Sequence, residues 1–376
     1  MGVPMFSDFD RTAMQRALAL AARGLESTDP NPRVGCVIAR GERIVGEGWH
    51  ERAGEAHAEV AALRAAGSQQ TTGATVYVTL EPCSHQGRTA PCTLALTAAR
   101  VARVVYAIAD PNPLVNGRGA EALRAAGITV EAGLLEKEAR ELNAGFIKRM
   151  QDGRPFVRVK LAMSLDGRTA LADGASQWIS SEAAREDVQA WRARSSAVLT
   201  GVGTVLADDP RLDVRSAAGG PERRQPLRVV LDTHLRTPAG ARLFTVGGEV
   251  LILSALTGLD ETRAAALSAR GARVETLPVD AQRLELAAVL ARLGELEANE
   301  VLVEAGATLA GELLRQGLCD ELLLYVAPML LGAGARALVD LPPLRDLKDA
   351  PTFTLIETRM VGPDLRLRLH PVAPAG

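Results

Sequence analysis

Residues 57–92, which read HAEVAALRAAGSQQTTGATVYVTLEPCSHQGRTAPC, decide the fold of the first part of the chain. They open with His57 and Glu59, and a predicted strand then leads to Cys83 and Cys92. One imidazole and two thiolates form a ligand set for zinc, and three protein ligands leave a fourth position for water. Zinc makes that water more acidic, and a glutamate beside the metal can move protons between the water and a leaving amine. The stretch therefore predicts a metal site for hydrolytic removal of an amino group.

The local spacing decides whether these side chains can meet. Residues two apart on a helix face in different directions, so His57 and Glu59 share a site only at the start of a helix, where Gly54 lets the chain turn in. The residue order matches the known signature of zinc deaminases, H-x-E…P-C-x-x-C. Here the loop SHQGRTAP separates Cys83 from Cys92. We predict Cys92 at a helix N-terminus, where the helix dipole favours a thiolate.

Each of these residues also has a plainer interpretation. An isolated H-x-E is common and usually carries no function, and distant cysteines in an intracellular protein are usually buried small hydrophobes. The conjunction of all four residues, in strand and helix context, favours zinc. The two remaining cysteines, Cys36 and Cys319, lie in or near apolar strands, so we predict both in the core.

Apolar periodicity extends an α/β pattern over the whole chain. Helices alternate with strands in residues 1–150, which predicts a layered sandwich, and a fresh strand, FVRVKLAMS, follows a Gly-Pro-containing turn. We therefore predict two α/β domains, 1–150 and 151–376, with a surface loop at 216–225. The predicted helices are 8–24, 57–66, 91–99, 121–126, 134–150, 181–193, 260–269, 283–294 and 308–316. The predicted strands are 34–38, 43–48, 75–80, 101–109, 128–132, 196–200, 227–232, 249–254, 272–277, 300–304 and 320–327, with a closing hairpin of 352–358 and 364–370.

Composition excludes several classes of function. The 376 residues carry a formal net charge of −2, so there is no basic surplus to neutralise a nucleic-acid backbone. Four cysteines are too few for a disulfide scaffold. The longest uncharged stretch, 322–335, is shorter than the about 20 residues that a membrane helix needs, and the N-terminus has no apolar run behind a basic start. We expect a cytoplasmic protein with a small-molecule substrate, no nucleic-acid partner and no membrane contact.

The second part of the chain carries polar residues in segments of another kind. Lys160 lies on a predicted strand followed by a turn of small residues, and Arg192 lies on a predicted helix. The run LVEAGATLAGELL, residues 302–314, combines a strand, an acidic residue, a glycine-containing turn and a helix. Backbone N–H groups at such a helix start can hold a pyrophosphate. No G-x-G-x-x-G follows a first strand, so an ordinary Rossmann domain is disfavoured, and alone the glycine turn is a weak signal.

Taken together, these segments resemble one enzyme family, the bifunctional deaminase–reductases of riboflavin biosynthesis. The resemblance is carried by DPNPRVGCV from Asp29, GWH from Gly48, HAEVAAL from His57, TLEPCSHQGRTAPC from Thr79 and DPNPLVNGRG from Asp110, and it continues through the second domain. The long loop between the two cysteines is typical of that family. The resemblance implies an N-terminal cytidine-deaminase-like α/β/α sandwich and a C-terminal dihydrofolate-reductase-like α/β domain.

The resemblance also implies the reaction and its cofactors. Family members act on 2,5-diamino-6-ribosylamino-4(3H)-pyrimidinone 5′-phosphate. They remove its 2-amino group with one Zn²⁺ per chain and then reduce the ribosyl chain to ribityl with NADPH, which gives 5-amino-6-ribitylamino-uracil 5′-phosphate. Family members tend to be oligomers, so we expect a homo-oligomer, with the apolar segment 322–331 as a candidate interface.

Residue roles follow from the matching family positions. The implied metal ligands are His57, Cys83 and Cys92, and the catalytic candidates are Glu59, Lys160 and Asp208. The implied substrate contacts are Asn31, His50, His85, Arg88, Asn112, Ser176, Arg192, Leu212, Arg215 and Glu304. The implied cofactor contacts are Ala162, Trp178, Thr204, Asp208, Thr233, Gly306, Ala307, Thr308, Leu309, Ala310, Gly311 and Glu312. Amides and imidazoles suit the edge of a pyrimidine, and arginines suit a phosphate.

Several single residues, and the function of the whole chain, also have alternative interpretations. Lys160 can pair with an acid, Trp178 can belong to the core, and Asp208 can cap a turn. The main rival is a monofunctional zinc deaminase whose second domain only binds, and NADPH binding by residues 151–376 discriminates between the two. A non-enzymatic zinc-stapled scaffold is a rival of another class, but a structural zinc site does not need Glu59.

Overall fold

The structure is a computed structural model, and it describes residues 6–84, 90–112, 116–215, 223–255, 260–280 and 282–372. The chain divides into two compact units, Met1–Gly153 and Arg154–Gly376. Helices alternate with strands in both units, in agreement with the α/β class predicted from periodicity.

The first unit is built around a five-stranded mixed sheet. Its strands are β1 (Gly35–Arg40), β2 (Arg43–Trp49), β3 (Thr75–Leu80), β4 (Arg103–Ile108) and β5 (Thr129–Ala132). Its helices are α1 (Asp8–Ala22), α2 (Ala58–Ala66), α3 (Ser68–Thr71), α4 (Cys92–Ala98), α5 (Arg118–Ala125), α6 (Glu136–Leu142) and α7 (Ala144–Asp152). The strand order is β2-β1-β3-β4-β5; β1 is antiparallel to both its neighbours, and β3, β4 and β5 are parallel.

Helices cover both faces of this sheet, because its strands are apolar on both sides. Along β1, Val37 and Ala39 pack with α1 and the later helices α6 and α7, whereas Cys36 and Ile38 pack with α2, α4 and α5. Since parallel strands point the same way, the carboxyl ends of β3 and β4 lie at one edge of the sheet. The result is a three-layer α/β/α sandwich, and Cys36 lies in its core as predicted.

The second unit is built around a nine-stranded sheet with helices on both faces. Its longer strands are β6 (Phe156–Ser164), β8 (Ala197–Gly201), β9 (Leu227–Leu231), β10 (Val250–Ala255), β11 (Ala272–Leu277), β14 (Glu300–Glu304), β15 (Glu321–Ala327), β17 (Phe353–Val361) and β18 (Asp364–Pro371). Short strands β7 (Arg168–Ala170), β12 (Val279–Asp280), β13 (Arg283–Leu284) and β16 (Arg336–Ala337) form two small ribbons. The helices are α8 (Glu182–Arg194), α9 (Val202–Asp208), α10 (Glu261–Ser268), α11 (Leu286–Glu295) and α12 (Ala307–Arg315), with 3₁₀ turns at Arg242–Phe244 and Leu347–Asp349.

The large sheet has the order β11-β10-β9-β8-β14-β6-β15-β18-β17. Its first seven strands are parallel, and β18 and β17 close it as an antiparallel hairpin, as predicted. Helices α11 and α12 pack on one face, and α8, α9 and α10 pack on the other. Cys319 lies in this core, in agreement with the prediction.

Several local expectations need correction. The predicted helix at 134–150 is interrupted at Asn143, which separates α6 from α7. The predicted helix at 283–294 begins only at Leu286, because Arg283–Leu284 forms a strand, and helix α9 was not predicted. The candidate interface at 322–331 is wrong for most of its length, since β15 is buried between β6 and β18 and leaves only residues 328–331 at the surface. An apolar run alone does not distinguish a central strand from an interface strand.

Candidate active sites

The four residues of the predicted zinc site, His57, Glu59, Cys83 and Cys92, meet in the first unit. His57 is the N-cap of α2, in extended conformation, so its side chain and that of Glu59 in the first turn can both face the cysteines. Cys92 is the first residue of α4, at the helix N-terminus that the sequence predicts, and its N–H donates to Cys83 Sγ at 3.4 Å. His57 Nδ1 lies 3.2 Å from Cys92 Sγ and 3.5 Å from Cys83 Sγ.

These distances fit a tetrahedral zinc ion. Zn–S bonds of about 2.3 Å and Zn–N bonds of about 2.0 Å put neighbouring ligand atoms of a tetrahedron roughly 3.5 Å apart. The ligand atoms of His57, Cys83 and Cys92 all lie within 4.8 Å of one another. The Cys92 thiol hydrogen-bonds to Cys83 and lowers the pKa of Cys83 to about 4, so one thiolate is already favoured. Donor types and spacing both suit zinc rather than a hard cation.

Glu59 lies beside these ligands without being one of the three. Its side chain is only 4% exposed. Burial, and then the negative charge of Cys83, raise the pKa of Glu59 to about 7, and the carboxyl hydrogen-bonds to Cys92. A carboxyl group in this position, next to a metal site and shielded from water, can hold or release a proton near neutral pH.

Asn31 and His50 lie against the same cluster. The amide Nδ2 of Asn31 donates to His50 Nε2 at 3.0 Å, and His50 Nδ1 donates to the carbonyl oxygen of Ala56 at 3.1 Å. This arrangement requires a neutral imidazole, and burial lowers the pKa of His50 accordingly. The His50 ring stands edge-on to that of His57, with centroids 5.4 Å apart. Because His50 holds the amide nitrogen of Asn31, the direction of the Asn31 amide oxygen is fixed as well.

Of the three further candidate substrate contacts in this unit, the structure describes only one. Asn112 is half-buried, and its N–H donates to the Asp110 carboxylate at 2.8 Å. His85 and Arg88 lie outside the described residues. Glu81, to which the sequence analysis assigned no role, is buried between the cysteine segment and the segment that carries Asn112.

In the second unit, Lys160, Arg192 and Glu304 form one partly buried cluster. Lys160 and Glu304 are cross-strand partners on β6 and β14. Arg192 on α8 binds the Glu304 carboxylate through two hydrogen bonds, of 2.5 and 2.9 Å, and the Asp213 carbonyl at 2.9 Å. Burial lowers the pKa of Lys160. Burial alone would raise the pKa of Glu304, but the charge of Arg192 outweighs it, and the pKa of Glu304 is lowered.

Several of the remaining candidates of this unit follow the carboxyl ends of parallel strands, which meet at one edge of the sheet. Thr204 and exposed Asp208 lie on α9 after β8, Thr233 follows β9, and Gly306 caps α12 after β14. Partly buried Ala162 lies on β6, and Ser176 lies just before Trp178. Ligands of open α/β sheets bind at this edge.

The side chains of several implied contact residues are either exposed to solvent or buried in the core. Trp178 is 65% exposed, with the Arg185 guanidinium 4.4 Å from its ring, so it is not part of the core. Leu212 and Ala310 are buried in the core, and Gly311 packs against the Asp340 backbone, where a Cβ would lie 2.1 Å from the carbonyl oxygen. Because the Ala310 N–H donates to the Gly306 carbonyl oxygen, the N–H groups at the start of α12 without a partner inside the helix are those of Ala307, Thr308 and Leu309. The carboxylate of the adjoining Glu312 binds Arg315. Arg215 is exposed, and its backbone N–H donates to the side-chain oxygen of Gln189. It directly precedes residues 216–222, which lie outside the described part.

Comparison with known proteins assigns both units. The sequence profile of the cytidine and deoxycytidylate deaminase zinc-binding region matches residues 7–108, and that of the RibD C-terminal domain matches residues 155–367. The riboflavin biosynthesis protein RibD of Escherichia coli K12 is 50% identical over 96% of this chain and 99% of its own length. The chain belongs to the RibD family. RibD of Haemophilus influenzae is 46% identical, over 97% of this chain and 98% of its own length.

Solved RibD structures extend the match to the fold. Acinetobacter baumannii RibD is 46% identical, with a TM-score of 0.88 over 97% of this chain and 99% of its own. A diaminohydroxyphosphoribosylaminopyrimidine deaminase/5-amino-6-(5-phosphoribosylamino)uracil reductase of Thermotoga maritima is 33% identical, with a TM-score of 0.84 over the same shares. The predicted family and fold class are confirmed: a cytidine-deaminase-like domain precedes a RibD reductase domain.

The function predicted for the chain as a whole is confirmed with the family. It is a bifunctional enzyme of riboflavin biosynthesis, with a zinc-binding deaminase domain and a reductase domain. The monofunctional and non-enzymatic alternatives are thereby excluded. Among the helices that the structure describes, none combines the length and hydrophobicity needed to span a bilayer.

Proposed function

We propose that residues 1–150 deaminate 2,5-diamino-6-ribosylamino-4(3H)-pyrimidinone 5′-phosphate and that residues 151–376 reduce the deaminated ribosyl compound with NADPH. The product is 5-amino-6-ribitylamino-uracil 5′-phosphate. The observation that carries the proposal is the convergence of two thiols, one imidazole and a buried glutamate in the first unit, in a chain whose family contains the Thermotoga maritima enzyme named for both reactions.

In the first site, we assign His57, Cys83 and Cys92 as the metal ligands. Zinc, when bound, supplies Lewis-acid activation of water. Glu59 takes up the proton released by that water and delivers it to the departing amine, which its burial beside the ligands permits. Asn31 binds the pyrimidine through its amide oxygen, because His50 fixes the orientation of the amide.

In the second site, NADPH supplies the hydride when bound. The dinucleotide phosphates bind the free N–H groups of Ala307, Thr308 and Leu309 at the start of α12. Among the three ionisable candidates, Lys160 is the favoured proton donor. These candidates are Lys160, Asp208 and Glu304. Glu304 is held by two hydrogen bonds from Arg192, and Asp208 is exposed, whereas Lys160 is partly buried beside Glu304 and burial lowers its pKa.

The assembly and the compartment belong to the same proposal. Strand β17 is the edge of the large sheet and exposes Leu355, Ile356 and Met360. An exposed apolar edge strand is a natural site for pairing between copies of a chain. We therefore propose a homo-oligomer formed through this edge. The four cysteines are free thiols, which suits the reducing cytoplasm.

The test supplies the diaminopyrimidinone phosphate and NADPH to the zinc-loaded protein and follows ammonia release and loss of reduced-cofactor absorbance separately. We expect ammonia without NADPH, and cofactor oxidation only after deamination. Cofactor oxidation without ammonia, or no ammonia from the zinc-loaded protein, would contradict the proposed order and substrate.

A further inference from the structure

We infer that Glu81 is a positioning residue of the deaminase site: its carboxylate ties the segment that carries Asn112 to the segment that carries Cys83. The inference rests on the proposed function of the first site. Glu81 is not one of the three proposed metal ligands, and its role follows from what its carboxylate binds.

The Glu81 carboxylate is occupied by backbone N–H groups from the second segment. Oε2 accepts from the N–H of Asp110 at 3.3 Å and of Gly117 at 3.0 Å, and Oε1 accepts from the N–H of Ala120 at 3.0 Å. The Glu81 N–H in turn donates to the carbonyl oxygen of Ile108 at 2.9 Å. One residue at the carboxyl end of β3 thus binds the end of β4 and the start of α5.

This carboxylate is shielded from water, because Glu81 is only 2% exposed. Gly117 and Ala120 lie at the N-cap and in the first turn of α5, where the helix leaves N–H groups without helical partners and favours negative charge. By accepting three backbone N–H groups, this buried carboxylate uses three of its about four acceptor sites. Glu81 therefore holds backbone in place rather than moving protons.

Close packing between the same two segments supports the inference independently. Gly119 lies so near the cysteine segment that a Cβ built on it would come within 1.9 Å of the carbonyl oxygen of Pro82. Only glycine allows this approach. The start of α5 and the segment just before Cys83 are thus fitted to each other by contact as well as by hydrogen bonds.

The consequence for the site runs through Asp110 to Asn112. The N–H of Asp110 is held by Glu81, and the Asp110 carboxylate accepts the N–H of Asn112 at 2.8 Å. Glu81 therefore binds both ends of the segment that carries Asn112, a substrate contact implied by the family resemblance. If this segment shifts, we expect substrate binding to weaken while the metal ligands stay in place.

Glu81→Gln is the sharpest test, because glutamine has the same shape but only one acceptor oxygen. In either orientation of the amide, its NH₂ group faces at least one of the three backbone N–H groups. With zinc-loaded protein we expect KM for the diaminopyrimidinone phosphate to rise about tenfold or more, the range for a lost hydrogen bond to a charged group. We expect the zinc content and the NADPH-dependent reduction to stay within about twofold of the wild type.

Three further variants separate positioning from general effects. Glu121→Gln removes an exposed carboxylate from the first turn of the same helix and should leave KM unchanged. Gly119→Ala perturbs the packing on Pro82 without changing any charge and should raise KM in the same way. Combined with Asn112→Ala, Glu81→Gln should add little, because the two residues act along one path.

The outcomes distinguish the inference from the proposed function. Unchanged KM in Glu81→Gln, zinc loss in proportion to activity, or full additivity with Asn112→Ala would each overturn the positioning role. An equal effect in Glu121→Gln would also overturn it, since helix charge alone would then explain the result. If the wild-type protein releases no ammonia from the diaminopyrimidinone phosphate, the proposed function itself fails. If Glu81→Gln does not fold, Gly119→Ala decides between the same outcomes.

Discussion

Glu59→Gln is expected to abolish deamination and leave reduction intact. Glu59 is 4% exposed and lies beside the three metal ligands without being one of them. Glutamine fills the same volume, but it cannot take up a proton and release it again. Proton transfer by a positioned group contributes about 10²–10⁴-fold to rate, which corresponds to roughly 3–5 kcal/mol of activation free energy. We expect kcat for ammonia release to fall by that factor.

The assay measures three quantities on the same preparation. Zinc content by metal analysis should equal that of the wild type, since the ligands are unchanged. Ammonia release should collapse, and oxidation of NADPH with a pre-deaminated substrate should stay close to the normal rate. Glu51→Gln, an exposed glutamate upstream of α2, is the matched control and should change none of the three. The converse variant, Asp208→Asn, should deaminate normally and reduce poorly if Asp208 acts at the nicotinamide end.

One result would refute the reasoning. If Glu59→Gln also abolishes reduction of the pre-deaminated substrate, while circular dichroism shows an intact fold, the two activities do not depend on separate sites. A model in which both steps share one pocket would then be preferred. Loss of zinc in the same variant would instead show that Glu59 helps to hold the metal.

Three further predictions concern the metal, a buried ion pair and the effect of pH. Cys83→Ser should lose zinc, and full zinc occupancy in that variant would contradict the ligand assignment. Arg192→Ala leaves the partly buried Glu304 carboxylate without its bidentate partner, so it should cost about 3 kcal/mol of stability in denaturant titration and impair reduction but not deamination. Unchanged reduction would exclude a role at the site. Burial would raise the pKa of Asp10, but hydrogen bonds, the strongest of them from Arg103, outweigh burial and lower that pKa. Asp10→Asn should therefore reduce the free energy of unfolding by about 2–3 kcal/mol at pH 7. This difference should shrink as the pH falls below about 4, where the unfolded carboxyl is protonated, and a difference independent of pH would refute the cause.

The local geometry of the first site could be predicted where it depends on residues close together in sequence. His57 and Glu59 are two residues apart in sequence, so they can share a site only at the start of a helix. Helix α2 begins directly after His57. Cys92 opens α4 in the same way. Apolar periodicity likewise predicted most of the strands, because alternation of buried and exposed residues is a local property of the chain. Family resemblance supplied what periodicity could not, namely the substrate and NADPH.

Contacts between distant segments were decided only by the tertiary structure. Arg192 binds Glu304 across 112 positions of sequence, and Glu81 binds the start of α5. Both depend on which strands are neighbours in the sheet, and strand order is not encoded in any local pattern. For the same reason, the apolar run of β15, which the sequence offered as an interface, is buried. Burial depends on what the rest of the chain packs against a residue, and that is settled only when the whole sheet has formed.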